Sequence, residues 1–263
     1  MNAANRFFTV GLLVLAATRT ALAGPCAPQT FEDTVYTVCT FDAASDDVRV
    51  FWKNAAGAPF NTFDALAGEL KGQGLALAFA MNGGMYGDDF APTGLLVVDG
   101  KELHAVNTKT VTGEPQDIPN FYKQPNGVFF VAKEGAGVLA TEAYIKRKPV
   151  ARFATQSGPM LVIGGELHPA FIENSPDRKK RDGVGVCIDG KTRFAITEGP
   201  VNFHGFARFF RDGLKCPDAL FLDGGSAPGL FAPELGRDDP PGHGGYGPII
   251  GVVTKLIGVV TKP

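Results

Sequence analysis

Two short apolar runs each end in a polar side chain followed by paired glycines. Residues 75–81 lead into the segment 82–84, and residues 220–222 lead into the segment 223–226. Short apolar runs bounded by turn residues are typical of buried strands, so Asn82 and Asp223 are expected at strand ends. Glycines there allow backbone N–H groups to point at one anionic group. The pattern predicts a shared cleft for a phosphate or a sugar hydroxyl, and a strand followed by a tight turn is the structural alternative.

Other polar residues are expected at strand ends as well, namely Gln156 with Ser157, Arg181 before a strand, and Glu198 after one. Amide and carboxylate groups satisfy sugar hydroxyls, whereas the planar guanidinium of arginine pairs with phosphate oxygens. Carboxylates are also the groups that glycoside cleavage requires. The predicted catalytic residues are therefore Asp223, Glu198 and Arg181. The predicted substrate-binding residues are Asn82, Gly83, Gly84, Gln156, Ser157, Gly224, Gly225 and Ser226.

Several common kinds of site are absent from the sequence. It contains no H-E-x-x-H, Walker or G-x-G-x-x-G motif, and neither Ser157 nor Ser226 lies in the G-x-S-x-G motif of serine hydrolases. The four histidines are scattered along the chain. A formal net charge of −2 over 263 residues gives no electrostatic footprint for nucleic acid. With 44% apolar residues, the chain can fill one large domain or two small ones.

The first residues have the features of an export signal. Arg6 precedes the apolar residues 7–17, and residues 21–23 read Ala-Leu-Ala, a typical cleavage pattern. This stretch is too short to span a bilayer, although an uncleaved anchor is the alternative. We therefore predict a signal peptide at residues 1–23, a periplasmic or secreted protein, and no membrane span after cleavage.

An exported chain permits disulfides, and the four cysteines show no metal-binding spacing. Sequence proximity favours pairing Cys26 with Cys39 and Cys187 with Cys216, out of three possible pairings.

The elements that must position these residues are mainly strands. Alternating residues predict two strands between residues 31 and 52, hairpin signals occur at Asp99-Gly100 and Asp189-Gly190, and a closing strand is expected at residues 249–253. Helical spacing follows Thr62 and recurs at residues 206–214, whereas residues 140–153 suit a helix or an extended segment. We predict an α+β fold with a single domain, a largely antiparallel or mixed β-sheet and a few packed helices.

The motifs taken together resemble those of the phosphodiester glycosidase family. The resemblance rests on the segments 82–86, 156–159, 181–185 and 223–226 in that order, and it covers roughly residues 36–253. It implies a glycosidase-like domain at residues 24–253, followed by a tail at residues 254–263 that contains a six-residue repeat. It also implies that Asn82, Arg181, Asp223 and Ser226 line the active cleft, whereas the place of Glu198 depends on the strand-end argument alone. The glycine run after Asp223 is one residue shorter than is common in the animal enzymes, and residues 228–247 look like a different substrate loop.

The functional hypothesis is hydrolysis of the anomeric C–O bond of a sugar-1-phosphodiester, as in an envelope or extracellular glycan. Arg181 and the glycines would hold the phosphate, Asn82 and Gln156 the sugar, and Asp223 or Glu198 would activate water. A phosphodiesterase that cleaves the P–O bond and a non-catalytic glycan-binding module are the alternatives. No cofactor is predicted, although Asp88, Asp89 and Asp223 together are a possible Ca²⁺ or Mg²⁺ site.

Overall fold

The computed structural model describes residues 24–114 and 116–256, which form three antiparallel sheets with short helices packed against them. The predicted signal peptide and the second copy of the C-terminal repeat lie outside these residues. Among them, no helix is both long and apolar enough to cross a membrane. The strands are β1 Cys26–Phe31, β2 Thr34–Phe41, β3 Asp47–Phe51, β4 Leu75–Asn82, β5 Leu96–Val98, β6 Lys101–His104, β7 Gly127–Ala132, β8 Gly135–Ala140, β9 Phe153–Ser157, β10 Met160–Ile163, β11 Glu166–Leu167, β12 Arg181–Val186, β13 Thr192–Thr197, β14 Asp218–Gly224, β15 Leu230–Ala232, β16 Arg237–Asp238 and β17 Ile249–Lys255.

The three sheets differ in size and in the part of the chain they use. The first has seven strands in the order β1-β2-β13-β12-β14-β10-β11. The second has five strands in the order β16-β15-β4-β17-β3, and the third has five in the order β6-β5-β9-β7-β8. All neighbouring strands pair antiparallel. The prediction of an α+β fold built largely on antiparallel sheet is confirmed.

The main core forms where the three sheets face one another. Phe194 of the first sheet has its ring centroid 4.9 Å from Phe79 of the second sheet and 5.8 Å from Phe129 of the third. All three rings are fully buried. Because one cluster joins all three sheets, the strand ends at the edge of this cluster are held in fixed positions relative to one another.

The helices cover the outer faces of the sheets. They are α1 Phe63–Gly72, α2 Thr141–Arg147 and α3 Phe203–Arg208, and α3 continues into a π-helical turn at Phe209–Gly213. Thr62 caps α1 by accepting a hydrogen bond from the Ala65 N–H at 3.1 Å, and the helix buries Phe63, Leu66 and Leu70. In the undecided segment 140–153, Thr141–Arg147 form the helix α2, and the chain then reaches strand β9 at Phe153. The second predicted helix begins earlier than expected, at Phe203.

Both predicted disulfides are present. Cys26 pairs with Cys39, its direct neighbour across β1 and β2, and Cys187 pairs with Cys216. On the chain-entropy model, closing the longer loop stabilises the fold by roughly 3 to 4 kcal/mol. The last strand continues to Lys255, so the predicted boundary between domain and tail falls inside β17.

Candidate active site

Strand ends from all three sheets meet at one place. Asn82 ends β4 of the second sheet, Ser157 ends β9 of the third, and Asp223 lies near the end of β14 of the first. The Ser157 hydroxyl donates to the Leu222 carbonyl at 2.8 Å, and the Thr155 hydroxyl donates to the Gly83 carbonyl at 2.6 Å. These bonds between sheets bring Asn82, Ser157 and Asp223 together, as the sequence predicts.

The centre of the site is a pair of aspartates, Asp182 and Asp223, which we call the acid pair. They lie opposite each other on β12 and β14, beside a β-bulge. Asp182 Oδ1 accepts the backbone N–H of Asp223 at 2.8 Å and the amide of Asn82 at 3.4 Å. Among the described residues, no lysine or arginine forms an ion pair with either carboxylate.

This environment favours the protonated forms of both acids. Desolvation raises the pKa of Asp223 to about 7, and a hydrogen bond from the Gly224 N–H opposes this only in part. Asp182 is fully buried, and burial together with the charge of Asp223 raises its pKa well above the ordinary value. Its Oδ2 has no hydrogen-bond partner among the described residues. Asp223 is only partly buried, so a ligand can reach it.

Gly84 lets the segment after Asn82 pass close to the third sheet. Its φ of +126° is one that L side chains rarely adopt, and a Cβ there would lie 3.3 Å from the Ser157 Cβ. The predicted anion nest is largely occupied, because the N–H groups of Gly83, Gly224 and Gly225 donate to Pro248, Asp223 and Lys180. These glycines therefore shape the site more than they offer free donors to a phosphate.

Gln156 is also engaged within the protein. Its Oε1 accepts the N–H groups of Leu95 and Asn107, and its Nε2 donates to the Asn107 carbonyl and to Thr141 Oγ1. The residue is 1% exposed. Gln156 thus attaches the long loop after Val106 to the third sheet.

Ser226 lies at the exposed rim of the site. Its hydroxyl is 3.0 Å from Nε2 of His243, which belongs to the loop before β17. Tyr86 lies close enough to Asp223 for its pKa to be affected. Burial is the larger cause and the charge of Asp223 the smaller, and together they raise the pKa of Tyr86 to about 12.

Arg181 is buried on a different side of β12. Its Nε donates to the Val201 carbonyl at 2.9 Å, its Nη2 bonds to Asp177 at 3.1 Å, and the guanidinium lies 3.7 Å from the centroid of the Phe203 ring. The side chain is 1% exposed. The side chain of Arg181 makes no contact with the side chains of Asn82 or Asp223. Its hydrogen bonds and its contact with the Phe203 ring hold neighbouring segments together.

Glu198 joins the first sheet to the second. It accepts a hydrogen bond from the Thr37 hydroxyl at 2.6 Å and forms an ion pair with Arg237, which in turn pairs with Asp239 at 2.7 Å. Its contacts are therefore with this network and not with the acid pair.

The possible cation site receives no support from a cluster of ligands. Asp89 accepts the Ala91 N–H at 3.0 Å within its own loop. Within residues 24–114 and 116–256, no group of three or more His, Cys, Asp or Glu side chains is arranged to hold a metal ion.

Sequence reasoning missed Asp182, Tyr86 and His243 as site residues. Asp182 lies within the motif 181–185, but the apolar residues that predict the strand begin only at Val184, whereas β12 begins at Arg181 and places Asp182 opposite Asp223. A strand begun at Arg181 would have placed that residue and Asp182 on opposite faces.

Comparisons with known proteins identify the family of this chain. A family model described as phosphodiester glycosidase matches residues 76–253. The uncharacterized protein YigE of Escherichia coli is 33% identical over 213 residues, which are 81% of this chain and 78% of that protein.

Two solved structures have the same fold. The catalytic domain of zebrafish N-acetylglucosamine-1-phosphodiester alpha-N-acetylglucosaminidase, auto-inhibited by its pro-peptide, is similar with a TM-score of 0.59 and 16% identity, covering 86% of this chain and 81% of that one. A hypothetical protein from Synechocystis has a TM-score of 0.53 and 14% identity, covering 87% of this chain and 61% of that one.

Proposed function

The chain belongs to the phosphodiester glycosidase family, and from that premise we propose that it hydrolyses the anomeric C–O bond of a sugar-1-phosphodiester. The proposed substrate is of the N-acetylglucosamine-1-phosphodiester type, in an envelope or extracellular glycan. Two disulfides suit an oxidising compartment, which supports a periplasmic or secreted protein.

The observation that carries the proposal is the acid pair at the junction of the three sheets. A carboxylate whose pKa is about 7 is well matched to proton transfer at neutral pH. Asp223 is partly accessible, and the more deeply buried Asp182 fixes its backbone N–H. We therefore assign proton transfer to Asp223 and positioning to Asp182.

In the proposed reaction, ionised Asp223 takes a proton from water as the water oxygen bonds to the anomeric carbon. The bond between that carbon and the phosphate oxygen breaks, and its electron pair stays on the phosphate. The products are a free sugar and a phosphomonoester, and Asp223 then returns its proton to solvent. Phosphate is a competent leaving group, so the step needs no acid comparable to the one that ordinary glycosides require.

The remaining predicted residues have supporting roles in this scheme. Asn82 bonds to both Asp182 and the Gly229 N–H, which fixes the floor of the sugar site. Ser226 and His243 lie at the rim, where their polar atoms are accessible to sugar hydroxyls. Arg181 and Glu198 maintain the strands that carry the acid pair, because their own polar groups are already bound.

The test is product identification in oxygen-18 water with UDP-N-acetylglucosamine and methyl N-acetylglucosamine-1-phosphodiester, with and without EDTA. Label in the free sugar is expected, together with an unlabelled phosphomonoester. Label in the phosphate would instead mean cleavage of the P–O bond. If the parent protein turns over none of these substrates, and Asp223→Asn binds the ligand as well as the parent does, a glycan-binding module is favoured.

A further inference from the structure

A repeat in the sequence has no part in the proposed function. Residues 249–255 read Ile-Ile-Gly-Val-Val-Thr-Lys, and residues 256–262 read Leu-Ile-Gly-Val-Val-Thr-Lys. We call these segments the first copy and the second copy. They differ only at the first position, where Ile249 is matched by Leu256, and an exchange between side chains of equal volume is well tolerated in protein cores. The two copies are therefore nearly interchangeable in sequence.

The first copy forms β17, which lies inside the second sheet. The strand pairs with β3 on one side and with β4 on the other, and its first five residues are buried. Gly251 fits closely, since a Cβ there would lie 3.0 Å from the Leu77 side chain and 3.2 Å from the Phe79 carbonyl. The second copy has a glycine at the same place, Gly258. The position between β3 and β4 thus fits a sequence that the chain contains twice.

The length of the repeat keeps each side chain on its proper face. In β17, Ile250 and Val252 belong to the main core, whereas Ile249 and Val253 pack on the side of α1. A slip by an odd number of residues normally turns the apolar side chains of a strand to the wrong face. A slip of seven residues along this chain instead brings the same residue types back to the same places. The second copy would therefore present the same apolar residues to the main core and to α1.

The register of β17 is set by the loop that precedes it, residues 242–248. Three glycines of this loop leave no room for a Cβ, namely Gly242 against the Ser226 carbonyl, Gly245 against the Phe90 ring and Gly247 against Tyr86. If the second copy lay between β3 and β4 and the loop kept its path, isoleucine, valine and threonine would stand at these three places. All three residue types carry a Cβ, so the loop has to leave this path. The loop, and not the strand itself, therefore favours the first copy.

The same loop forms part of the rim of the site. It carries His243, whose Nε2 is 3.0 Å from the Ser226 hydroxyl. The Gly245 carbonyl accepts a hydrogen bond from the Tyr86 hydroxyl at 2.7 Å. Release of the loop would break both contacts and open the rim, while the strands of the three sheets stay in place.

We propose that the second copy is an alternative β17, which takes the position between β3 and β4 when the first copy leaves it. In this second register the sheets and the main core persist, whereas residues 242–248 are released from the rim of the site. The choice between two equivalent strands is thereby coupled to the state of the rim. The proposal concerns the fold and one loop, so it stands or falls independently of the proposed reaction.

A substitution that blocks the first copy tests the exchange. Val252 is 3% exposed and lies opposite Val48 and Phe79 in the sheet. Val252→Asp therefore buries a carboxylate whenever the first copy forms β17. The purified, disulfide-bonded variant is expected to keep a cooperative unfolding transition in urea, because the second copy replaces the first.

Two further variants are the controls. Val252→Asp/Val259→Asp blocks both copies and is expected to lose the cooperative transition. Val259→Asp alone should unfold at the same urea concentration as the parent protein, because the second copy is not in the sheet when the first is intact. If Val252→Asp is no more stable than the double variant, the second copy does not replace the first and the proposal fails.

A disulfide then reports which copy is in place. Val48 and Val252 are direct neighbours that both face the main core, so Val48 lies opposite Val259 in the second register. Side chains opposite each other on one face are close enough for a disulfide. With Val48→Cys and Val259→Cys added to Val252→Asp, a link within one chain is expected, identified by mass spectrometry of the digested protein. The same two cysteine substitutions without Val252→Asp should stay unlinked. Free thiols in the Val252→Asp background, or a link between two chains, would overturn the proposal.

Hydrogen exchange connects the register to the rim. In the parent protein, the Tyr246 N–H donates to the Asn61 carbonyl at 2.8 Å and the Gly83 N–H to the Pro248 carbonyl at 2.6 Å. Both amides are expected to lose their protection in Val252→Asp, whereas the amides of β14 in the first sheet keep theirs. Retained protection at both amides would show that the loop stays in place, which contradicts the coupling between strand and rim.

Discussion

Arg181 and Asp182 are consecutive residues of β12, and both are fully buried, but the protein surrounds them differently. The Arg181 side chain is bound by the Val201 carbonyl and Asp177, and Phe203 packs on its flat face. Asp182 has one oxygen without a partner and a second carboxylate as its neighbour. Breaking the contacts of a buried, bound charge destabilises a fold, whereas a buried polar atom without a partner is expected where a ligand completes the interactions.

The largest effect is expected for Asp223→Asn, which removes the group that accepts a proton. We expect kcat to fall about 10³-fold with the fold intact. In the parent protein, kcat/KM should rise with pH up to about 7 and then level off, because only ionised Asp223 acts as a base. Asp218→Asn, on the same strand, is the control. Near-normal activity of Asp223→Asn would remove Asp223 from the mechanism.

The same substitution should stabilise the protein at alkaline pH. A carboxyl whose pKa is raised on folding holds its proton better in the folded than in the unfolded state, so stability falls as pH rises from about 4 to about 7. Asparagine avoids this loss. We expect the free energy of unfolding to rise by about 2 kcal/mol at pH 8 and by almost nothing at pH 4. The gain at pH 8 is smaller than the free energy that corresponds to the full pKa shift, because Asp223 is partly exposed to solvent. Urea denaturation at both pH values measures it, and equal gains at both would contradict the prediction.

Arg181→Ala should have the opposite effects to Asp223→Asn: it should lower stability and leave activity nearly unchanged. Removing the guanidinium leaves a cavity against Phe203 and takes one of two donors from the Val201 carbonyl, which keeps the Lys179 N–H. We expect a loss of about 3 kcal/mol in the free energy of unfolding. Below the unfolding transition, kcat for the methyl diester should stay within about fivefold of the parent. Lys179→Ala, which removes an exposed partner of Asp177, is the stability control. A stable variant with a thousandfold loss of kcat would show that Arg181 contacts the substrate.

Two substitutions of Asp182 distinguish positioning from proton transfer. Asp182→Asn keeps an oxygen to accept the Asp223 N–H and resembles the neutral acid, so kcat should fall no more than about tenfold. Asp182→Ala removes that acceptor and should cost about a hundredfold. The midpoint of the pH profile should stay close to 7 in Asp182→Asn. A loss in Asp182→Asn as large as that of Asp223→Asn would mean that Asp182 itself transfers a proton.

The smallest effect is expected for Glu198→Gln. The pair with Arg237 is partly exposed, and Arg237 keeps Asp239 as a partner, so stability should change by less than about 1 kcal/mol. Activity should stay within about threefold of the parent, as for the control Glu134→Gln in an exposed turn. A loss of kcat above a hundredfold would return Glu198 to the catalytic residues.

The sequence predicts the strand ends better than it predicts the faces of the strands. Asn82 and Asp223 follow apolar runs, and in the structure Asn82 is the last residue of its strand and Asp223 the last but one. On β12, by contrast, Gly183 and Gly185 face α3 and its π-helical extension while Val184 faces the core between the sheets. Glycine carries no hydrophobic signal, so the alternation that would have separated Arg181 from Asp182 is absent from the sequence.

Other features depend on long-range contacts that no local pattern contains. The bonds that occupy Gln156 come from residues 95, 107 and 141, and the ion pair of Glu198 comes from residue 237. Strand β9 is short and polar at its end, and it is recognisable only because β5 and β7 flank it. The cysteine pairs, by contrast, were predicted from closeness in sequence alone, and Cys26 and Cys39 are direct neighbours across the hairpin of β1 and β2.

The position of β17 determines when during synthesis the site can form. This strand, Ile249–Lys255, lies inside the second sheet between β3 and β4, and β4 ends in Asn82. Until residues near 255 have left the ribosome, β4 lacks one of its two partners, and pairing that spans so much of the chain is slow. We therefore expect the site at the end of β4 to be complete only after β17 has been synthesised, long after the residues of β4 themselves.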